Sequence, residues 1–316
     1  MSEILRVENL TKDFTVRDAR GKSRPFRAVD DVSFSIGKGS CFGLVGESGS
    51  GKTTTGRTVL RLIEPTAGRV FFDRTDITKA DMAAYRRRMQ IIFQNPAGSL
   101  DPKYQVGDIV AEGLRANRMC SSRAEYRERA EELLRQVGLF AEDALRYPGE
   151  FSGGQQQRIG IARALAVEPE FIVCDEPVSA LDVSFQAQII NLLKRLQQEK
   201  GLSYLFISHD MSVVRHMSDR IGILYRGRLL ECGEAEEVIN HPAHPYTRAL
   251  IDAIPVADPD RAAARKPRQP VYGAEEAPRG CCYAGRCPYA SDKCRREQPA
   301  MREIAPDHIC SCRLFE

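Results

Sequence analysis

What this chain of 316 residues lacks narrows its class before any motif is read. No uninterrupted apolar run approaches the roughly 18 or more residues that a membrane-spanning helix needs. The opening Met1-Ser2-Glu3-Ile4-Leu5-Arg6 has no long apolar stretch of the secretory kind, so a cytosolic chain is expected, one that meets a membrane only through a partner. The net charge of +3 is too small to argue for a nucleic-acid-binding face. Apolar content of 42% and charged content of 28% are ordinary for a globular protein, and the length allows one large domain with an appendage.

Cysteine is the one residue type used unevenly. Cys41, Cys120, Cys174 and Cys232 are scattered and read as structural thiols, because free cysteine is often buried. The other six crowd into the last few dozen residues as Cys281, Cys282, Cys287, Cys294, Cys310 and Cys312. Disulfides do not suit a reducing cytosol. Structural zinc usually takes cysteines closer together than the Cys281-x₅-Cys287-x₆-Cys294 spacing seen here. Four thiolates on a wrapped loop suit an iron–sulfur cluster at least as well, and free thiols in a loose tail are the plain alternative.

The stretch Gly46-Glu47-Ser48-Gly49-Ser50-Gly51-Lys52-Thr53 organises the rest. It matches G-x-x-x-x-G-K-[ST], a loop that cradles phosphates. Gly46, Gly49 and Gly51 let successive backbone N–H groups face an anion, with Ser48, Ser50 and Glu47 between them. Lys52 places a charge near the β- and γ-phosphates, and the Thr53 hydroxyl, followed by Thr54, suits a Mg²⁺ ion. A chance match is expected in roughly 1% of chains this long. Context argues against chance. The apolar run Cys41-Phe42-Gly43-Leu44-Val45 predicts a buried strand entering the loop, and the apolar spacing after it predicts a helix starting at about Lys52.

Downstream, Met89-Gln90-Ile91-Ile92-Phe93 predicts a buried strand that ends at Gln94, before a proline-broken loop. From about 95 to 160 the apolar residues recur at helical spacing, which predicts an inserted helical subdomain. Within it, Phe151-Ser152-Gly153-Gly154-Gln155 sets a hydroxyl and paired glycines before a helix: a second anion cradle, or simply a capped helix. Phe171-Ile172-Val173-Cys174 closes on Asp175-Glu176, a carboxylate pair suited to hold Mg²⁺ and to orient an attacking water. Tyr204-Leu205-Phe206-Ile207 delivers His209, placed to reach a γ-phosphate. In a parallel sheet these residues gather outside the carboxyl ends of the strands.

Taken together, these motifs resemble the ATPase subunit of ATP-binding cassette (ABC) transporters. The likeness runs from about residue 4 to 255 through the Walker A loop, Gln94, the signature at 151–155, Asp175-Glu176, Ser179-Ala180-Leu181-Asp182 and His209. It implies an α/β P-loop NTPase (RecA-like) core with an antiparallel β subdomain, the helical subdomain and a Cys-rich extension over 256–316. Phe151 stands where leucine is commoner in the signature, and with Pro148-Gly149-Glu150 and His244-Pro245-Tyr246-Thr247-Arg248-Ala249-Leu250 it resembles the dipeptide/oligopeptide permease branch.

That resemblance implies an ATPase coupled to import of di- or oligopeptides. Related importers of nickel, glutathione or oligosaccharide share the wording. A soluble ABC ATPase would usually show tandem cassettes or long coiled-coil insertions, and a P-loop kinase would lack residues 151–155. The implied roles are Glu176, His209 and Gln94 in hydrolysis; Thr53, Gln94 and Asp175 at Mg²⁺; and Phe14 stacking on adenine. Ser152, Gly153, Gly154 and Gln155 would serve the nucleotide of a second ABC ATPase subunit, a paralogous chain packed head to tail. The implied partners are two integral permease subunits and an extracytoplasmic binding protein, with no nucleic acid, at the cytoplasmic face of a bacterial inner membrane. Cys281, Cys287, Cys294 and Cys312 fall on the set that some members use for a 4Fe–4S centre.

Overall fold

The computed structural model describes residues 2–17, 21–254 and 279–316. Residues 18–20 and the stretch 256–278 of the expected extension lie outside these. Strands β1 (Glu3–Arg17) and β2 (Ser23–Gly37) pair antiparallel. In β2 the buried Val32, Phe34 and Ile36 alternate with Asp31, Ser33 and Ser35, the period of a sheet with one face packed. After them β3 (Cys41–Val45) enters a second sheet, while β4 (Ala67–Phe72) and β5 (Thr75–Asp76) return to complete the antiparallel layer β2-β1-β4-β5.

The second sheet carries the site. With β6 (Met89–Ile92), β7 (Phe171–Asp175), β8 (Ser203–Ser208) and β9 (Arg220–Tyr225), β3 forms a parallel run in the order β9-β3-β8-β7-β6. Strands β3, β7 and β8 are buried along their whole length, which explains why their sequences read as unbroken apolar runs rather than as alternation. Their carboxyl ends come side by side, so Val45, Ile92, Asp175 and Ser208 all hand over to loops at one edge.

Between β6 and β7 the chain is helical, with no strand from 93 to 170. Ser122 caps the helix Arg123–Gln136 by accepting from the Glu125 N–H at 3.2 Å. Of the apolar positions at helical spacing, Val106, Ile109, Val110, Leu114, Ala130, Leu134 and Val137 are buried and join the core beneath β6 and β7, while Leu133 is partly buried and packs against it.

The C-terminal residues continue the main sheet. Strand β10 (Arg228–Glu234) runs antiparallel beside β9, and β12 (His308–Cys310) and β11 (Arg302–Ala305) extend the edge beyond it. A carboxylate fastens this junction. Glu231 is fully buried and accepts from the Ala243 and His244 N–H groups, each at 2.8 Å, and from the Thr247 hydroxyl. His308 Nε2 completes the shell at 2.8 Å. A segment so poor in apolar residues would be expected to need a metal to order itself. Strand addition and this buried network supply that order from the chain itself.

A buried carboxylate with its full set of donors is costly to truncate, since the donors are left unpaired. Glu231→Ala is expected to lower the unfolding free energy by about 3–5 kcal/mol in urea titration. A loss below ~1 kcal/mol would show that the network does not hold the C-terminal strands.

Candidate functional site

The loop at 46–53 leaves β3 and feeds the helix Lys52–Val59. Two glycines are demanded by neighbouring backbone. A Cβ on Gly46 would stand 2.1 Å from the Leu224 carbonyl oxygen, and one on Gly51 would stand 2.2 Å from that of Ala28. Gly51 also has φ +103°, outside the range that side-chain-bearing residues adopt readily. The loop is thus wedged between β9 and β2 and opens on a cavity of about 900 Å³.

That cavity gathers most of the residues singled out in the sequence. Residues 46–54 line it together with Gln94, Glu176 and His209. Lys52 is 4% exposed, and its Nζ donates to the carbonyls of Gly46 at 2.8 Å and Glu47 at 2.9 Å. Burial pulls its pKa below the usual range, while the carboxylates of Glu176, Asp175 and Glu47 hold it up. Glu176 Oε1 lies 3.9 Å from that ammonium.

Asp175 ends β7 and is 1% exposed. It accepts from the Thr53 hydroxyl at 2.7 Å through Oδ1. Burial pushes its pKa up, against the Thr53 hydrogen bond and the charges of Arg57 and Lys52. Its second oxygen, Oδ2, is buried without a hydrogen-bond partner, and Arg57 approaches only to 3.9 Å. An orphaned buried carboxylate oxygen beside a hydroxyl is a fitting place for a hard cation.

Glu176 has φ +46°, a strained value for a side-chain-bearing residue, fixed by its N–H bond to the Ile207 carbonyl at 3.0 Å. This turn aims the carboxylate into the cavity. Gln94, two residues past β6, donates to Glu176 Oε2 at 2.9 Å, and His209 Nδ1 stands 3.4 Å from the same oxygen. Three strand ends therefore place their polar groups on a single carboxylate.

Two expectations are placed elsewhere. Phe14 does not line this cavity; its cross-strand partner Phe26 does, half exposed, and Phe14 instead carries Lys12 Nζ at 5.0 Å from its ring centre. The two phenylalanines are directly paired across the hairpin, just past a register shift between Lys12 and Asp13 that the sequence does not announce. Ser152, Gly153, Gly154 and Gln155 also lie outside the cavity lining. They form a reciprocal cap at the start of the helix Gly153–Leu165: Ser152 Oγ accepts from the Gln155 N–H at 3.3 Å, and Gln155 Oε1 from the Ser152 N–H at 2.9 Å.

Cys281, Cys287, Cys294 and Cys312 come together around a separate cavity of about 150 Å³, with His244 and Ser291 in its wall. Burial raises the Cys281 thiol to about 11 and also raises Cys287. The neighbouring Cys310 thiol donates to Cys312 and holds that thiol below its usual range. Among the described residues no group of three or more His, Cys, Asp or Glu side chains converges on one point as a single metal ion would require.

Comparison with known proteins agrees with this geometry. The profile described as "ABC transporter" matches residues 29–179, and that described as "Oligopeptide/dipeptide transporter, C-terminal region" matches 230–294. A putative peptide import ATP-binding protein of Brucella ovis is 50% identical over 98% of this chain and 97% of its own length. An oligopeptide transport ATP-binding protein of Bacillus subtilis is 52% identical over 82% of this chain and 84% of its own. Among solved structures, a dimeric ATP-binding cassette bound to ADP and Pi superposes with TM-score 0.66 at 31% identity, covering 73% of this chain and 98% of that one.

Phe26 rather than Phe14 is expected to carry the base-stacking contact. Phe26→Ala should weaken binding of a fluorescent adenine nucleotide about tenfold, in line with loss of one aromatic stack, and Phe14→Ala by less than threefold. The reverse order, read by fluorescence titration, would restore Phe14 to that role.

Proposed function

The chain belongs to the ABC transporter family of ATPases, on the branch that carries the oligopeptide/dipeptide transporter C-terminal region, and we infer that it is the ATP-hydrolysing subunit of a peptide importer. The observation that carries the reading is the convergence of Gln94, His209 and Lys52 on Glu176, beside the Thr53 and Asp175 pair. Backbone N–H groups of residues 46–53 and the Lys52 ammonium bind the triphosphate. Glu176 orients the attacking water and accepts its proton, while Gln94 and His209 fix the carboxylate and contact the γ-phosphate side. Thr53, Asp175 and Gln94 would hold Mg²⁺, which when bound supplies neutralising charge at the β- and γ-phosphates.

The signature residues are proposed to act in trans. Ser152 and the helix N-terminus behind it offer an anion cradle away from this chain's own cavity, as a head-to-tail pair of subunits requires. A paralogous ATPase chain as the mate, two permease subunits and an extracytoplasmic binding protein complete the proposed machine. No helix among the described residues is long and apolar enough to cross a membrane. Attachment to the cytoplasmic face would therefore run through the permeases. A groove of about 500 Å³ lined by Ser99, Asp101, Tyr104 and Glu112, with Tyr104 well exposed, supports docking on the helical insertion.

For the thiol cavity we propose a 4Fe–4S centre, on the four cysteines that line it. Zinc needs its sulfurs gathered on one point. In a cluster each cysteine takes a different iron, so the sulfurs stand further apart around a small volume. Cys281, Cys287, Cys294 and Cys312 would be the ligands, and the centre when bound would add a cross-link to residues that the Glu231 network already orders. The proposal is tested by anaerobic purification with visible absorbance and metal analysis. About four irons per chain are expected; one zinc, or no metal, rejects it.

Hydrolysis is tested at Glu176. Glu176→Gln is expected to keep ATP binding within about twofold while the ATPase rate falls at least about 100-fold, the scale of a lost general base. A rate within about threefold of the parent protein would remove Glu176 from that role.

A further inference from the structure

We propose that Arg286 and Tyr246 are positioning residues for the phosphate loop, acting through Glu47. The proposal rests on the reading of residues 46–53 as the site of ATP's phosphates. Glu47 is the one acidic residue in that loop, and its carboxylate stands beside a place that must receive several negative charges. Each of its polar groups is held. The Tyr246 hydroxyl accepts from its N–H at 3.0 Å, Lys52 Nζ donates to its carbonyl at 2.9 Å, and Arg286 Nη1 donates to its two carboxylate oxygens at 3.1 and 3.0 Å. Two of these three partners come from the C-terminal part of the chain, Arg286 from 239 residues away in sequence.

Both partners stand on packed supports rather than on free loops. Tyr246 is 1% exposed and packs on Tyr225, with ring centres 4.6 Å apart, and on Tyr283 at 5.3 Å. Tyr283 in turn accepts from the Arg286 N–H at 2.9 Å through its carbonyl, closing the turn that presents the guanidinium. That turn lies between Cys281 and Cys287, which line the thiol cavity. The wall of one cavity therefore carries the residue that holds the rim of the other.

Arg286 does two things for the loop. It neutralises a carboxylate that would otherwise repel the incoming phosphates, and it anchors the Glu47 side chain, while Tyr246 holds the Glu47 backbone whose carbonyl orients Lys52. The pair is nearly half exposed on each side, so its effect is moderate and screened by salt.

The test uses the full-length chain and a fluorescent ADP analogue. Arg286→Ala is expected to raise its Kd about two- to fivefold at low salt, less at high salt, as suits an exposed ion pair. Arg286→Lys should recover most of the loss. Tyr246→Phe, which removes the acceptor for the Glu47 N–H, should shift Kd in the same direction. The deciding variant is Glu47→Gln: with the carboxylate gone, adding Arg286→Ala should cost less than about 1.5-fold, a double-mutant cycle in which the two effects fail to add. An equal penalty in both backgrounds, or no penalty in either, overturns the proposal, and the Glu47→Gln background keeps it decidable if Arg286→Ala alone folds poorly. Lys52→Ala separates the premise from the inference. If that variant binds nucleotide as tightly as the parent, the phosphate-site reading fails; if it loses binding while Arg286→Ala does not, only the positioning role fails.

Discussion

The close approach of backbone to backbone around residues 46–53 is the constraint on which the rest of the structure depends. Gly46 sits under the Leu224 carbonyl and Gly51 under that of Ala28, with no room for a Cβ at either place. The antiparallel layer, through β2, and the parallel sheet, through β9, thus meet on one short loop. Asp30 N–H to the Gly227 carbonyl and Gly227 N–H to the Ser50 carbonyl, each at 2.8 Å, tie the same three segments. A loop held this way keeps its N–H groups aimed without the rearrangement that a floppy glycine-rich turn would need when an anion arrives.

Around that loop the charges are arranged against their own solvation. Lys52 and Asp175 are both almost fully buried, and burial moves each towards its neutral form. What keeps them as an ionic set is their mutual proximity, with Glu176 adding a second carboxylate 3.9 Å from the ammonium. The set is still short of positive charge, as the partnerless Oδ2 of Asp175 and the 3.9 Å gap to Arg57 indicate. A divalent cation answers that deficit and a triphosphate answers Lys52, so the two fit as one ligand rather than as independent ones.

How much of this could be read from the sequence follows the range of the interactions. Local patterns were enough for the phosphate loop, the buried strands and the helical insertion, because apolar runs and helical periodicity are set by neighbours in the chain. The convergence of Gln94, Glu176 and His209 was legible through one further rule, that parallel strands deliver their ends to one edge. That Phe26 and not Phe14 lines the cavity was not, since the two are directly paired across one hairpin and local pattern does not choose between them. Nor was the hold on Glu47, for nothing near residue 286 signals a partner at 47. The ordering of the C-terminal strands was hidden for the same reason: Glu231 opposes Cys310, and His308 bonds to Glu231 across 77 residues.

The signature helix shows why one chain leaves this site unfinished. Its cap is self-satisfied at Ser152 and Gln155, yet Ser152 and Gly153 stay exposed to solvent. Phe185 backs Gly154 closely enough that a Cβ there would meet its ring at 2.8 Å, so the start of the helix is braced from behind and open in front. Val183, next to Asp182, is among the most exposed apolar side chains described. A rigid, positively polarised helix end flanked by an uncovered apolar residue is better suited to a second subunit's anion than to water. Meanwhile the phosphate cavity in the same chain is lined by its own loop and strand ends, with Phe26 and Leu250, and by none of these signature residues. Both half-sites are built to receive an anion, so in the head-to-tail arrangement proposed above the phosphates of one nucleotide would lie between two chains.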